Sequence, residues 1–199
     1  MTAAEPVVGV LALQGDFREH LAVLAELGAK GVTVRRPSEL EKIDGLIIPG
    51  GESTVMDKLS RAFGLAEPLQ QRIADGLPVY GTCAGLILLA DTVLDAIDGQ
   101  RTIGGLDVAV RRNAFGNQLD SFETDLDVDG FDGPAVHAAF IRAPVVERVG
   151  ERATALACLE DGRVVAVKQD NLLGTSFHPE ITGELRFHRA FLDTVIAAA

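Results

Sequence analysis

From Val7 to Ala90 the chain repeats one unit: a short continuous apolar run, a turn, then apolar residues at helical spacing. Nothing else in the sequence narrows the fold as much. Val7–Leu13 is apolar throughout and is stopped by Gln14-Gly15-Asp16. A run without alternation reads as a strand covered on both faces, as in parallel sheets. Leu21, Leu24 and Leu27 then share one helical face, and Gly28 is placed to end that helix. Val32–Arg35 and Gly45–Ile48 are the next strands, the latter stopped by Pro49-Gly50-Gly51. Helices are expected at about Thr54–Phe63 and Pro68–Asp75, with Pro68 tolerated in a first turn. Leu77–Tyr80 reads as a fourth strand and Ala84–Ala90 as a further helix. Strand and helix in alternation make an α/β domain with a mostly parallel central sheet flanked by helices.

Beyond residue 99 the pattern changes to short strand-like runs: Leu106–Val110, Ser121–Val128, Ala135–Ile141, Ala153–Glu160 and Arg163–Gln169. Gly-rich or acidic turns separate them, and Asp161-Gly162 is a hairpin signal. We read this stretch as an antiparallel segment added to the parallel core. Leu172–Phe177 then returns as a strand and Glu184–Ala198 closes as a helix. With 199 residues and no linker or repeat, residues 1–199 are expected to form a single domain.

Composition excludes several functions. Eighteen Lys+Arg against twenty-nine Asp+Glu give a net charge of −11, which disfavours nucleic acid and anionic membranes as partners. The chain has no Trp and one Tyr, too few aromatic rings for base stacking. Val7–Leu13 is too short for a signal-peptide core, and no later apolar run approaches a membrane span. A cytoplasmic location is expected, with both cysteines reduced. Neither Cys-x-x-Cys nor His-Glu-x-x-His occurs, so no metal site or cofactor is expected.

Three segments carry chemistry. Gly81-Thr82-Cys83-Ala84-Gly85 lies between an apolar strand and an apolar helix. It has the layout of the nucleophile elbow, with cysteine in place of serine. Its glycines leave room for a sharp turn that projects the central side chain above the sheet. The helix that follows favours a thiolate, and the amide of Ala84 can point at an oxyanion. Taken alone, Cys83 also fits a small buried core residue, which is how we read Cys158.

Ser176-Phe-His-Pro-Glu180 follows an apolar strand. If the chain stays extended, His178 and Glu180 point to the same side, and the carboxylate can orient the imidazole. A surface turn fits the same tripeptide. His20 and His188 fall in expected helices, where partial exposure is the default. Ile47-Ile-Pro-Gly50-Gly51-Glu52-Ser53-Thr54 joins a strand to a helix but matches neither nucleotide-binding glycine pattern. Its consecutive glycines allow a peptide to approach a ligand or to flip, so the Gly51 amide is a candidate second oxyanion donor.

In this order and at these separations, the three segments resemble class I, triad-type glutamine amidotransferases. Leu13-Gln-Gly-Asp-Phe-Arg-Glu-His20, Pro49-Gly-Gly-Glu-Ser-Thr54, Arg112-Asn-Ala-Phe-Gly116 and Phe140-Ile-Arg-Ala-Pro144 narrow the resemblance to the glutaminase subunits of pyridoxal 5′-phosphate synthase. The resemblance implies a flavodoxin-like glutaminase that hydrolyses L-glutamine to L-glutamate and ammonia. It also implies a partner, a synthase subunit using ribose 5-phosphate and glyceraldehyde 3-phosphate, with twelve glutaminases on a dodecameric core. By position, Cys83 would be the nucleophile, His178 the base and Glu180 its orienter. Gly50, Gly51, Glu52, Arg112, Ile141 and Arg142 would bind glutamine. Asn117 stands where many relatives carry a basic residue. Other readings are a glutaminase serving another synthase, a non-catalytic regulator on the same fold, or a cysteine peptidase.

Overall fold

A computed structural model describes residues 5–112, 114 and 121–198. The apolar runs become strands β1 (Val7–Leu11), β2 (Lys30–Val34), β3 (Gly45–Ile48) and β4 (Val79–Thr82). Between them lie α1 (Phe17–Glu26), α2 (Pro37–Leu40), α3 (Ser53–Ala62) and α4 (Ala66–Ala74). After β4 come α5 (Ala84–Leu89), β5 (Ala90–Leu94), β6 (Leu106–Arg111), β7 (Phe122–Leu126) and β8 (Val136–Phe140). The chain closes with β9 (Val145–Val149), β10 (Thr154–Cys158), β11 (Val164–Gln169), β12 (Leu172–Thr175), α6 (Pro179–Thr182) and α7 (Arg186–Ala198).

The main sheet runs β2-β1-β3-β4-β12-β11-β9-β6-β5, with β10 paired to β11. From β2 to β12 every pairing is parallel. This half has the strand order of doubly wound flavodoxin-like sheets, in which ligands bind beyond the strand C-termini near the β1/β3 switch point. The remaining pairs are antiparallel except β5 with β6. The antiparallel segment expected from the sequence is present, most of it continuing the main sheet beyond β12. Among the described residues, the hairpin β7–β8 forms a second, two-stranded sheet.

Alternation within each buried strand feeds two cores. Leu46 and Ile48 of β3 join Leu11, Met56, Leu65, Leu69, Val79 and Leu86 on one side. Ile47 joins Val8, Val10, Tyr80, Phe140, Phe177, Phe187 and Phe191 on the other. Each face must therefore be covered by helices or by the hairpin, which gives the layered α/β architecture. Among the described residues, no helix is long and apolar enough to cross a membrane.

Two burial expectations are corrected. Cys158 is exposed. It ends β10 beyond a register shift, so Ala157 turns inward and Cys158 outward. His20 and His188 are wholly buried rather than half exposed, because α1 and α7 face each other beneath the end of β4.

Candidate active site

Parallel strands bring their C-terminal turns to one rim. In the pairing of β4 with β12, Thr82 lies beside Thr175. The next residues, Cys83 and Ser176, leave the sheet together, and the Cys83 amide donates to the Thr175 carbonyl at 2.8 Å. Cys83 adopts φ +49°, unusual for a residue with a side chain. This is the strained elbow expected of a nucleophile between strand and helix. Gly85 explains how the turn is so tight. A Cβ there would lie 2.0 Å from the Ile48 carbonyl oxygen, so the elbow presses on the neighbouring strand. Cys83 is 7% exposed and lines a cavity, and Ala84 opens the helix with a first-turn amide that has no intrahelical partner.

His178 and Glu180 meet by a different route from the expected one. His178 caps α6, and Pro179 and Glu180 are its first residues. Proline at the first helical position suits a helix start, so the chain turns where an extended strand was expected. The helical turn still brings the side chains together, with His178 Nδ1 2.7 Å from Glu180 Oε1. The His178 amide donates to the Ala139 carbonyl at 3.0 Å, so β8 anchors this segment. Burial opposes the charged imidazole, but hydrogen bonds and charge from Cys83 and Glu180 outweigh it and raise the His178 pKa to about 10. The ring thus sits between a sulfur and a carboxylate, both of which favour its charged form.

The glycine loop after β3 borders the same cavity. Gly51 sits at φ +150°, and a Cβ there would meet Gln14 Oε1 at 2.4 Å. Gly50 backs the His178 ring, since its Cβ would come 2.4 Å from Cε1. The Gly50 carbonyl accepts from the Asp16 amide at 3.2 Å, so any flip of this peptide must break that bond. Glu52 caps α3 by accepting from the amides of Thr54 at 3.0 Å and Val55 at 2.8 Å. Partial burial opposes its charge, but those amides and Arg112 hold its carboxyl below the usual range. Arg112 lies 3.3 Å from Glu52 Oε1 and donates to Gln100 Oε1 at 2.6 Å.

A cavity of about 460 Å³ gathers Gly51, Glu52, Cys83, Ala84, Arg112, Ile141, Arg142 and His178. Among the expected site residues, Gly50 and Glu180 stand behind this lining. The Ile141 carbonyl lies 4.0 Å from Cys83 Sγ. Gln14, Asp16, Ser53, Ile87 and Ile181 complete the wall and were not singled out as site residues. For Gln14 and Asp16 a signal existed: they end β1, at the switch point where such sheets bind ligands. Asn117 lies outside the described residues, as do residues 113 and 115–120.

A buried cysteine on an elbow beside an imidazole braced by a carboxylate is an arrangement that can support nucleophilic acyl transfer. The sequence profile of the SNO glutamine amidotransferase family matches residues 10–197. The chain belongs to the SNO glutamine amidotransferase family. A family relative from Clavibacter sepedonicus, described as pyridoxal 5′-phosphate synthase subunit PdxT, is 70% identical over 190 residues, covering 96% of this chain and 91% of its own. One from Leifsonia xyli with the same description is 68% identical and covers 96% of each chain. A crystal structure of a glutamine amidotransferase matches with a TM-score of 0.88 at 47% identity, over 94% of this chain and 98% of that one. These matches span the elbow, the glycine loop and the His178–Glu180 turn, so the family and its fold account for the whole rim.

Proposed function

We propose that this chain is a single-domain cytoplasmic glutaminase that hydrolyses L-glutamine to L-glutamate and ammonia. It delivers the ammonia to a synthase subunit that builds pyridoxal 5′-phosphate from ribose 5-phosphate and glyceraldehyde 3-phosphate, twelve glutaminases serving a dodecameric core. The convergence on one cavity of Cys83 and of His178 braced by Glu180 carries this reading, and the description shared by the relatives supports the partner.

The Cys83 sulfur, paired with the His178 imidazolium, attacks the side-chain amide carbon of glutamine. The carbonyl electrons move to oxygen, where the amides of Ala84 and Gly51 receive the oxyanion. The oxyanion collapses, the carbon–nitrogen bond breaks, and His178 donates its proton to the departing nitrogen. Ammonia leaves a glutamyl thioester on Cys83. Neutral His178 then takes a proton from water, the hydroxide attacks the thioester, and the thiolate is expelled with glutamate. Glu180 holds the imidazole throughout. Arg112 and Arg142 suit the α-carboxylate of the substrate, and Glu52 suits its α-ammonium. Docking of the synthase acts on the Gly50–Gly51 peptide, whose rotation exchanges the bond to Asp16 for a different donor pattern at the cavity.

The test is a coupled assay with this chain, the synthase and the two sugar phosphates. Cys83→Ala abolishes glutamine-dependent formation of pyridoxal phosphate, whereas added ammonium restores it. Turnover of glutamine by Cys83→Ala refutes the assignment of the nucleophile.

A further inference from the structure

Behind Glu180 lies a second pair of imidazoles that the reaction above does not use. His20, from the first half of α1, and His188, from α7, are both wholly buried. His188 meets Tyr80 edge-on and Tyr80 in turn meets Phe191, a setting that hydrocarbon side chains would fill without desolvating a ring nitrogen. The nitrogens nevertheless form a chain. His188 Nε2 lies 2.8 Å from His20 Nδ1, and His20 Nε2 lies 3.1 Å from Thr82 Oγ1. The same Nε2 is 3.6 Å from Glu180 Oε1, the oxygen bonded to His178. His20 therefore touches both the residue before the nucleophile and the carboxylate that braces the base.

We propose that His20, supported by His188, is a positioning residue that holds Glu180 in place for His178. This rests on the glutaminase reading of the site. Glu180 Oε2 is buried with no hydrogen-bond partner among the described residues, so Oε1 alone meets the groups that orient the carboxylate. One is the His178 N–H and the other is His20 Nε2. Glu180 Oε1 can only accept, which places the proton of His20 on Nε2 and leaves Nδ1 to accept from His188 Nε2–H. His188 Nδ1 then carries a lone pair, in keeping with its having no partner. Burial, with repulsion from His188 and His178, pushes the pKa of His20 well below its ordinary value, and burial lowers that of His188 to about 4. Both rings are neutral at pH 7. A neutral N–H steers Glu180 without cancelling the charge that His178 needs. A cation at that point would compete with the imidazolium.

Two substitutions separate positioning from packing. In His20→Gln the amide nitrogen reaches the position of Nε2 and can still donate toward Thr82 and Glu180. In His20→Asn the shorter amide meets His188 alone. The assay is glutamine hydrolysis by the complete complex with the synthase. We expect His20→Asn to lower kcat about tenfold, with KM for glutamine changed by less than about twofold, because His20 does not line the cavity. The alkaline limb of its kcat/KM profile should move by about one unit to lower pH as Glu180 loosens. The titratable groups that face His178 among the described residues include Cys83, Glu180 and Asp16, the last with Oδ2 3.9 Å from Nδ1, and all three remain in both variants. His20→Gln should retain most of kcat and the wild-type limb.

Equal losses in the two variants, or none, overturn the proposal. A readout without substitution is the nitrogen NMR spectrum of the wild-type histidines. It should show His20 as the Nε2–H tautomer, and an Nδ1–H tautomer overturns the proposal even if neither variant folds. Cys83→Ala in the same assay keeps the two claims apart. An inactive Cys83→Ala beside unaffected His20 variants refutes only the role of His20. An active Cys83→Ala refutes the glutaminase reading itself.

Discussion

Replacing His188 with glutamine should make the protein less sensitive to acid. The wild-type ring is wholly buried against His20 and Tyr80, and burial lowers its pKa to about 4, against 6.5 for an ordinary imidazole. Between these values the unfolded chain binds a proton that the folded chain refuses. Stability from this group is complete above about pH 6.5 and is lost as the pH falls toward 4. Integrating between about pH 7 and pH 4.5 gives about 2 kcal/mol from this one side chain. Burial is the cause of the His188 shift, and His20, also held neutral, pulls in the same direction. His188→Gln keeps a donor for His20 Nδ1 and cannot titrate. Urea unfolding followed by circular dichroism at the two pH values measures the effect, and carboxylates common to both proteins cancel. The wild type should lose about 2 kcal/mol more than His188→Gln between pH 7 and 4.5. Parallel losses in the two proteins refute the reasoning.

Gly85→Ala should remove glutaminase activity and lower the melting temperature. Its Cβ would lie 2.0 Å from the Ile48 carbonyl oxygen, and relieving that overlap costs about 1–3 kcal/mol or displaces Cys83. Calorimetry and initial rates report the two effects. Glu52→Ala should cost about 1 kcal/mol through the lost cap on α3, and should also raise KM for glutamine. Denaturant unfolding and steady-state kinetics check both parts.

How far the sequence foretold the molecule depended on the range of the interactions involved. The apolar runs starting at Val7, Gly45 and Leu77 and the turn at Cys83 are local features, and the structure reproduces them within a few residues. The strand β9 was missed because Glu147 and Arg148 break its apolar pattern, while Val145 and Val146 supply its inward face. The single-turn helices α2 and α6 are too short to show a helical period. The contact between His178 and Glu180 was foreseen, but the extended geometry given for it was not found, because Pro179 starts a helix. His20 and His188 lie 168 residues apart and meet only through packing. Helical position alone made them look half exposed. Cys158 looked internal because its neighbours are apolar, yet the bulged end of β10 turns it to solvent.

Exposed Cys158 serves as an internal control for buried Cys83. An electrophilic glutamine analogue, bearing a diazoketone in place of the side-chain amide, would be incubated with the glutaminase–synthase complex and the modified peptide identified by mass spectrometry. Cys83, buried at the rim beside His178, should be alkylated and protected by glutamine, while exposed Cys158 stays free. Labelling of Cys158 instead, or labelling of Cys83 that glutamine does not slow, would contradict the account.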